Sequence, residues 1–212
     1  MPEPLIAVGE CEPAVICPLE IFKSTHLFPS LCFGTTNRDG SEKHYICCFP
    51  QHANPELPLP KTPLVFSLYG QIAIEDCFLT VRGCLRPMDE EPVASCWLEA
   101  RPNIAADILW RGIIPSIEAI VDKYGGVVDP SHLVALGPDG NVRLQVVWQG
   151  NIGESGWRLP MFDEFGTQRV PASISEVPFG EAMHATFSLE FVHDRRAGTR
   201  TVFASLYGMF KA

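Results

Sequence analysis

The cysteines are the residues of this chain that could support the widest range of chemistry. All eight lie at or before Cys96 in a chain of 212 residues. Thiol and imidazole groups, which are zinc ligands, are concentrated at Cys32, His44, Cys47, Cys48 and His52. The chain has no CxxC pair, and the neighbours Cys47 and Cys48 would point to opposite faces of a strand. We therefore predict that these thiols pack as small hydrophobic groups, and we predict no metal and no cofactor. A zinc-binding protein remains an alternative.

Other catalytic signatures are weaker still. A nucleophilic cysteine would need a histidine nearby in space, which the sequence does not reveal, so a cysteine-dependent enzyme also remains open. Gly153-Glu-Ser-Gly156 lacks one residue of a nucleophile elbow, and no phosphate-binding glycine loop occurs. The acidic pair Asp163-Glu164 is typical of a solvated turn. We predict no catalytic residue.

The end of the chain gives the best indication of a binding surface. Its last two strand patterns form a hairpin, and the return strand places Phe203, Ser205, Tyr207 and Met209 on one face. Ser67-Leu-Tyr-Gly70 recurs as Ser205-Leu-Tyr-Gly208, which gives Tyr69 the place corresponding to Tyr207. Arginines beside exposed rings suit phosphate neutralisation and base stacking. The candidate nucleic-acid-binding residues are Tyr69, Arg195, Arg196, Arg200, Phe203 and Tyr207.

A plainer interpretation competes with this one. Both faces of the last strand could be covered, in which case its rings belong to the core. Arginines at a hairpin tip also protect a sheet edge from unwanted pairing. The net charge of −9 argues against a general polyanion binder, and the first hundred residues hold 13 acidic against 6 basic side chains. An anion-facing surface is therefore expected in the second half.

The elements that must position these residues are mostly strands. Alternation predicts strands over residues 64–74, 77–85, 93–98, 133–136 and 141–148, with a turn at Gly137-Pro-Asp-Gly140. The apolar spacing of Ile117, Ile120, Val121 and Tyr124 predicts a helix that starts at an N-cap Ser116. A shorter helix over residues 103–110 would be separated from it by Pro115.

These patterns predict a mainly β protein, a barrel or a sandwich, with a small helical insert around residues 103–124. The prolines between Pro50 and Pro63 suggest a boundary. Residues 1–60 would then form cysteine-rich strands and a proline-rich strap, and residues 61–212 the β core. The order of elements in residues 64–212 is similar to that of an OB-type barrel, which binds oligonucleotides through one sheet face and its loops.

The predicted function is non-catalytic binding by the closing hairpin and the sheet face beside it, with single-stranded nucleic acid as the ligand. The alternative is a protein-interaction or assembly module that binds a partner or a second copy of itself. The first residues lack the pattern of a secretory signal, and no apolar run suits a membrane helix, so we expect an intracellular protein, cytoplasmic or nuclear, without a membrane partner.

Overall fold

The structure is a computed structural model that describes residues 16–18, 30–36, 42–47, 64–80, 94–102, 108, 110–124, 133–148, 159–194 and 198–212. Ten strands and the helix α1 lie in these ranges. The strands are β1 Ile16–Pro18, β2 Ser30–Thr36, β3 Glu42–Cys47, β4 Val65–Ile72, β5 Ala94–Glu99, β6 Val134–Leu136, β7 Val142–Trp148, β8 Met161–Phe162, β9 Met183–Asp194 and β10 Thr199–Lys211, and α1 is Ile113–Tyr124.

Five of these strands pair in a closed circuit. β4 pairs with β5, β5 with β7, β10 with β9 and β9 with β4, all antiparallel. A parallel pairing between β7 and β10 completes the circuit. The predicted mainly β fold class is confirmed, and the circuit has the strand number of an OB-type barrel.

The remaining strands attach to this circuit. β1 pairs with β4, and β3 joins β9 beside the segment that pairs with β4. Strands from both sides of the proposed boundary near residue 60 therefore belong to one sheet, and the division into two domains stays a prediction. Within the described residues, no helix has both the length and the apolar character needed to cross a membrane.

The inward faces follow the predicted alternation. In β4 the side chains of Phe66, Leu68 and Ile72 are at most 4% exposed. In β9, Phe187 lies opposite Phe66, and their ring centroids are 6.0 Å apart. Successive side chains of a strand point to opposite faces, so the residues between these inward positions form the outer face of the sheet.

Helix α1 packs one apolar face against this core but starts earlier than predicted. Ile113, Ile117 and Ile120 are fully buried. Ser116 is not the N-cap, because it lies inside the helix and its hydroxyl donates to the carbonyl of Gly112 at 2.8 Å. Residues 108 and 110, in the range of the predicted shorter helix, and the following residue 111 are helical, but Gly112 rather than Pro115 lies between them and α1. Pro115 occupies the first turn of α1.

The strand predicted over residues 77–85 is wrong for the part that the structure describes. Residues 77–80 have no strand geometry, although the Phe78 N–H donates to the carbonyl of Ser95 at 2.8 Å. The turn at Gly137-Pro-Asp-Gly140 is confirmed by the hydrogen bond from the Gly140 N–H to the carbonyl of Gly137 at 2.9 Å. It joins β6 to β7 as an antiparallel hairpin.

A buried ion pair joins three strands on the outer face. Arg143 of β7 lies opposite Glu99 of β5, and its Nε donates to Glu99 Oε2 at 2.8 Å. Gln71 of β4 donates to the other carboxylate oxygen at 3.0 Å. Arg143 also reaches Glu75 at 3.1 Å. Because Arg143 and Glu99 are 7% and 8% exposed, each needs the other to offset the loss of water.

We expect Glu99→Ala to lower the free energy of unfolding by about 3 kcal/mol, because it leaves a buried guanidinium whose nearest remaining carboxylate is the half-exposed Glu75. Urea unfolding measures this change. The matched control is Glu118→Ala on the exposed side of α1, where we expect less than about 0.5 kcal/mol. If both variants lost the same free energy of unfolding, the structural role of the Arg143–Glu99 ion pair would be contradicted.

Candidate nucleic-acid interface

A row of aromatic side chains crosses the outer face of the sheet. Strand pairing places Tyr69 of β4 opposite His184 of β9, His184 opposite Phe210 of β10, and Phe210 opposite Phe162 of β8. We call these four residues the aromatic row. Neighbouring strands lie about 4.8 Å apart, so the row extends over roughly 14 Å across the strands.

The rings of the aromatic row contact one another. Tyr69 stacks on His184 with centroids 4.4 Å apart and an interplanar angle of 16°. Phe162 and Phe210 stack at 4.9 Å and 14°, and His184 and Phe210 are tilted at 6.3 Å. Tyr69 remains 62% exposed although His184 contacts it. The accessible area therefore lies on the ring face and rim away from His184, at one end of the row.

Backbone packing under Tyr69 fixes the position of this end. The indole of Trp110 donates to the Tyr69 carbonyl at 2.8 Å, and Trp110 is 2% exposed. A Cβ on Gly70 would lie 2.6 Å from both Trp110 Cζ2 and the Glu99 carbonyl oxygen. Gly70 thus permits a close approach that no other residue would allow, and the buried indole supports the strand that carries Tyr69.

The outer face is not open along its whole length. Next to the aromatic row, Ser67, Thr186 and Ser188 also point outward, yet they are only 7%, 2% and 1% exposed. Tyr69 is far more accessible than these neighbours. The accessible part of this face is therefore narrower than the whole sheet face that the sequence suggested.

The charged groups at the Phe162 end of the row are paired. Arg169 donates from Nε to Asp163 Oδ2 at 3.1 Å. Lys211, which follows Phe210, lies 2.7 Å from Glu181 and 3.7 Å from Glu164. Asp163, Arg169, Glu181 and Lys211 line part of a groove of about 510 Å³ between β8 and the segment that runs from residue 168 to residue 183. Its basic side chains are neutralised by neighbours, so the groove itself does not attract phosphates strongly.

The structure separates the six residues that the sequence proposed as one site. Tyr69 lies in the aromatic row, whereas Arg200 is exposed near the opposite end of the β9–β10 hairpin, opposite His193. Phe203 and Tyr207 are half-buried on β10 between these ends. Phe203 lies opposite Glu190. Along β9, Glu190 is six residues from His184, a distance of about 20 Å. Arg195 and Arg196 lie outside the described residues.

Sequence reasoning missed three members of the aromatic row. His184 occupies an outward position of β9, but the inward residues of β9 and the tip of the hairpin gave the stronger signals. The alternation predicted that Met209 shares a face with Tyr207, and this is wrong. The register shifts between Leu206 and Gly208, which turns Met209, 0% exposed, inward and Phe210 outward. Phe162 belongs to a two-residue strand inside a region predicted to be loop.

The identical segments Ser67–Gly70 and Ser205–Gly208 both pair with β9, one on each edge. The register of β10 shifts between Leu206 and Gly208, however, so Tyr207 does not hold the position that Tyr69 holds on β4.

Cys77 and Cys96 do not resemble a reactive centre. Cys77 and Cys96 are buried free thiols, and burial raises the pKa of both, that of Cys96 well above its usual range. Both are therefore protonated at neutral pH and poorly nucleophilic. Among the described residues, no group of three or more His, Cys, Asp or Glu side chains could hold a metal ion. Cys48 and His52 lie outside those residues, and of Cys32, His44 and Cys47 only the backbone is described, so the proposed zinc cluster stays untested.

No protein-family model matches the chain. No curated protein matches it in sequence. Several solved structures are similar in shape. A single-stranded DNA-binding protein from bacteriophage Enc34, solved in complex with single-stranded DNA, has 14% identity and a TM-score of 0.46, with 89% of this chain and 96% of that chain covered. The single-stranded DNA-binding protein gp2.5 of bacteriophage T7 has 14% identity and a TM-score of 0.41, with 69% and 85% covered.

The contact between Gly70 and Trp110 can be tested with a double-mutant cycle. We expect Gly70→Ala to lower the free energy of unfolding by about 1–3 kcal/mol, because the new methyl group would overlap the indole and a backbone carbonyl. Trp110→Phe removes Cζ2 and should relieve part of that overlap. Unfolding of the two single variants and the double variant in urea should show a coupling of at least about 0.5 kcal/mol. Additive losses would argue against the contact.

Proposed function

We propose that this protein binds single-stranded nucleic acid without catalysing a reaction on it, and that the aromatic row is the main contact. The observation that supports this is the row of four rings over four neighbouring strands, two stacked pairs joined by a tilted contact, with Tyr69 62% exposed at its end. A nucleobase is a flat ring that can continue such a stack. Stacking tolerates every base, so this mode of binding is expected to be weakly sequence-selective.

Contacts within the row prepare Tyr69 for stacking. His184 supports one face of the ring at 4.4 Å, and Trp110 holds the Tyr69 backbone. A ring that is already ordered loses little conformational entropy when a ligand stacks on it. A base on the open face of Tyr69 would also withdraw exposed aromatic surface from water, which adds a hydrophobic contribution.

Arg101 is the cation best placed to meet a phosphate beside Tyr69. The antiparallel register pairs Ile72 with Leu98 and Gln71 with Glu99. The pairing ends at Glu99, whose carbonyl oxygen lies against Gly70, so Arg101 comes two residues after the point where β5 approaches the neighbour of Tyr69. Arg101 is exposed. A guanidinium at this position could contact the backbone of a strand whose base stacks on Tyr69.

The hairpin residues retain a proposed secondary role. Arg195, Arg196 and Arg200 would contact phosphates, and Phe203 and Tyr207 would stack bases further along the hairpin. The distance between Arg200 and the aromatic row means that only a longer strand could reach both. With a net charge of −9 and paired cations near Phe162, we expect few phosphate contacts and therefore a shallow dependence of affinity on salt.

Tyr69→Ala tests the stacking contact. We expect it to weaken binding of oligothymidylate by about 5- to 150-fold, which corresponds to about 1–3 kcal/mol for one stacked base. Fluorescence anisotropy with a labelled oligonucleotide measures the dissociation constant. Tyr69→Phe keeps the ring and should bind within about twofold of the original chain.

The matched control for this experiment is Leu136→Ala. Leu136 is 68% exposed on β6, away from the aromatic row, and its loss should leave affinity unchanged. If the original chain does not bind the oligonucleotide, or if Tyr69→Ala binds as well as Leu136→Ala, the proposed function is wrong. A stable oligomer without affinity for the oligonucleotide would instead support an assembly module.

Arg101→Ala tests the phosphate contact separately. A plot of the logarithm of the association constant against the logarithm of salt concentration is steeper by about 0.7 for each phosphate of a single strand that the protein neutralises. We expect Arg101→Ala to reduce the magnitude of the slope by about this amount. Arg111→Ala, an exposed arginine next to Trp110 in sequence, is the control. An unchanged slope in Arg101→Ala would remove Arg101 from the interface.

A further inference from the structure

The turn after β8 presents an aromatic side chain to solvent. Phe165 is 84% exposed, the largest exposed fraction of any large hydrophobic side chain in the described residues. It lies in the three-residue loop Glu164–Gly166, between Asp163 and Thr167. Exposure of a phenylalanine to water is unfavourable. A single exposed ring on a mobile segment would still need no special explanation. This turn, however, is tightly held.

Backbone hydrogen bonds define the geometry of the turn. The Gly166 N–H donates to the Asp163 carbonyl at 3.0 Å, and the Asp163 N–H donates to the Thr167 carbonyl at 3.0 Å. Gly166 has φ of +75°, a left-handed conformation that favours glycine. A three-residue hairpin loop with a left-handed glycine at its end is a recurrent and well-ordered structure.

The side chain of Asp163 adds three further constraints. Its Oδ1 accepts hydrogen bonds from the N–H groups of Phe165 at 3.0 Å and Thr167 at 2.9 Å, and its Oδ2 accepts from Arg169 at 3.1 Å. These bonds lower the pKa of the Asp163 carboxyl, the bond from Thr167 most of all, so the carboxylate is ionised at neutral pH. The acidic pair that the sequence marked as a solvated turn thus has a defined structural role in its first member.

The turn is attached directly to the aromatic row. Phe162, the last ring of the row, lies three residues before Phe165 and bridges to Gln168 across the same hairpin. Lys211, next to Phe210, lies 3.7 Å from Glu164 and so links the turn to β10. Three residues of extended chain cover about 10 Å. Phe165 therefore lies within about 10 Å of Phe162, displaced from the aromatic row along the direction of β8.

We propose that Phe165 is a second stacking contact for the same single-stranded nucleic acid, so that a bound strand runs across the sheet from Tyr69 to Phe165. This inference rests on the proposed function. It follows from the exposure of the ring, the hydrogen bonds that hold the backbone of its turn, and the short stretch of chain that joins this turn to Phe162. The ends of this path are up to about 24 Å apart, from three strand spacings and three residues of chain.

The length of the path makes the contribution of Phe165 depend on the length of the ligand. Oligothymidylates of about 4 and about 16 nucleotides represent the lower and upper lengths that a single OB-type domain binds. We expect Phe165→Ala to weaken binding of the longer ligand at least about fivefold, the effect of losing one stacked base. The shorter ligand cannot occupy both ends of this path at once, so the same substitution should weaken its binding much less.

The chemistry of the contact is tested by two further variants. Phe165→Trp keeps a flat ring and should bind the longer oligonucleotide within about twofold of the original chain, whereas Phe165→Leu keeps an apolar side chain without a ring and should bind as weakly as Phe165→Ala. Leu136→Ala again serves as the control for loss of an exposed apolar side chain. Because Phe165 is largely exposed, these variants should keep the original unfolding midpoint, which urea denaturation checks.

The outcomes separate this inference from the proposed function. If Tyr69→Ala weakens binding while Phe165→Ala and Phe165→Leu do not, the aromatic row stands and the second contact is wrong. If Phe165→Leu binds normally, stacking is excluded at this position. A change in oligomeric state of Phe165→Ala, without a change in affinity, assigns the ring to a contact between copies of the chain. Failure of the original chain to bind overturns both proposals.

Discussion

The pairing of β4 with β9 is the contact on which the proposed site depends. β9 pairs with β10 along its full length and uses part of its other edge for β4. This second pairing completes the five-strand circuit and brings Tyr69 against His184. Without it, the outer face would have no continuous row of rings, because Tyr69 and Phe210 belong to strands that do not pair with each other.

The sequence predicted the elements better than their arrangement. The alternation in residues 64–74 identified the strand β4, and the turn sequence Gly137-Pro-Asp-Gly140 between apolar runs identified a hairpin. These signals are local, so a pattern of a few residues is enough. The start of α1 was misplaced because Ser116 bonds back to Gly112 inside the helix, an arrangement with the same sequence pattern as a cap.

The candidate site was predicted only in part, and the physical reason differs from the one that misplaced the start of α1. Alternation tells which residues point outward from a strand, but not which outward residues from distant strands meet. Tyr69 was found through the echo with Tyr207, whereas Phe162 and Phe210 required the parallel pairing of β8 with β10. Nor does alternation reveal that Ser67 and Thr186 are buried on the outer face while Tyr69 is not. The hairpin tip attracted attention by its arginines, yet Arg200 lies far from the row.

The origin of the row in four separate strands also affects how the molecule reaches its native state. The β9–β10 hairpin joins neighbouring segments and can form early, but the pairing of Tyr69 with His184 must close a loop of more than a hundred residues. Such long-range closure is slow and belongs to the late stages of folding. During synthesis, moreover, the row cannot assemble until the ribosome has released the chain through Phe210. The complete row is consequently present only in chains that have completed their tertiary structure.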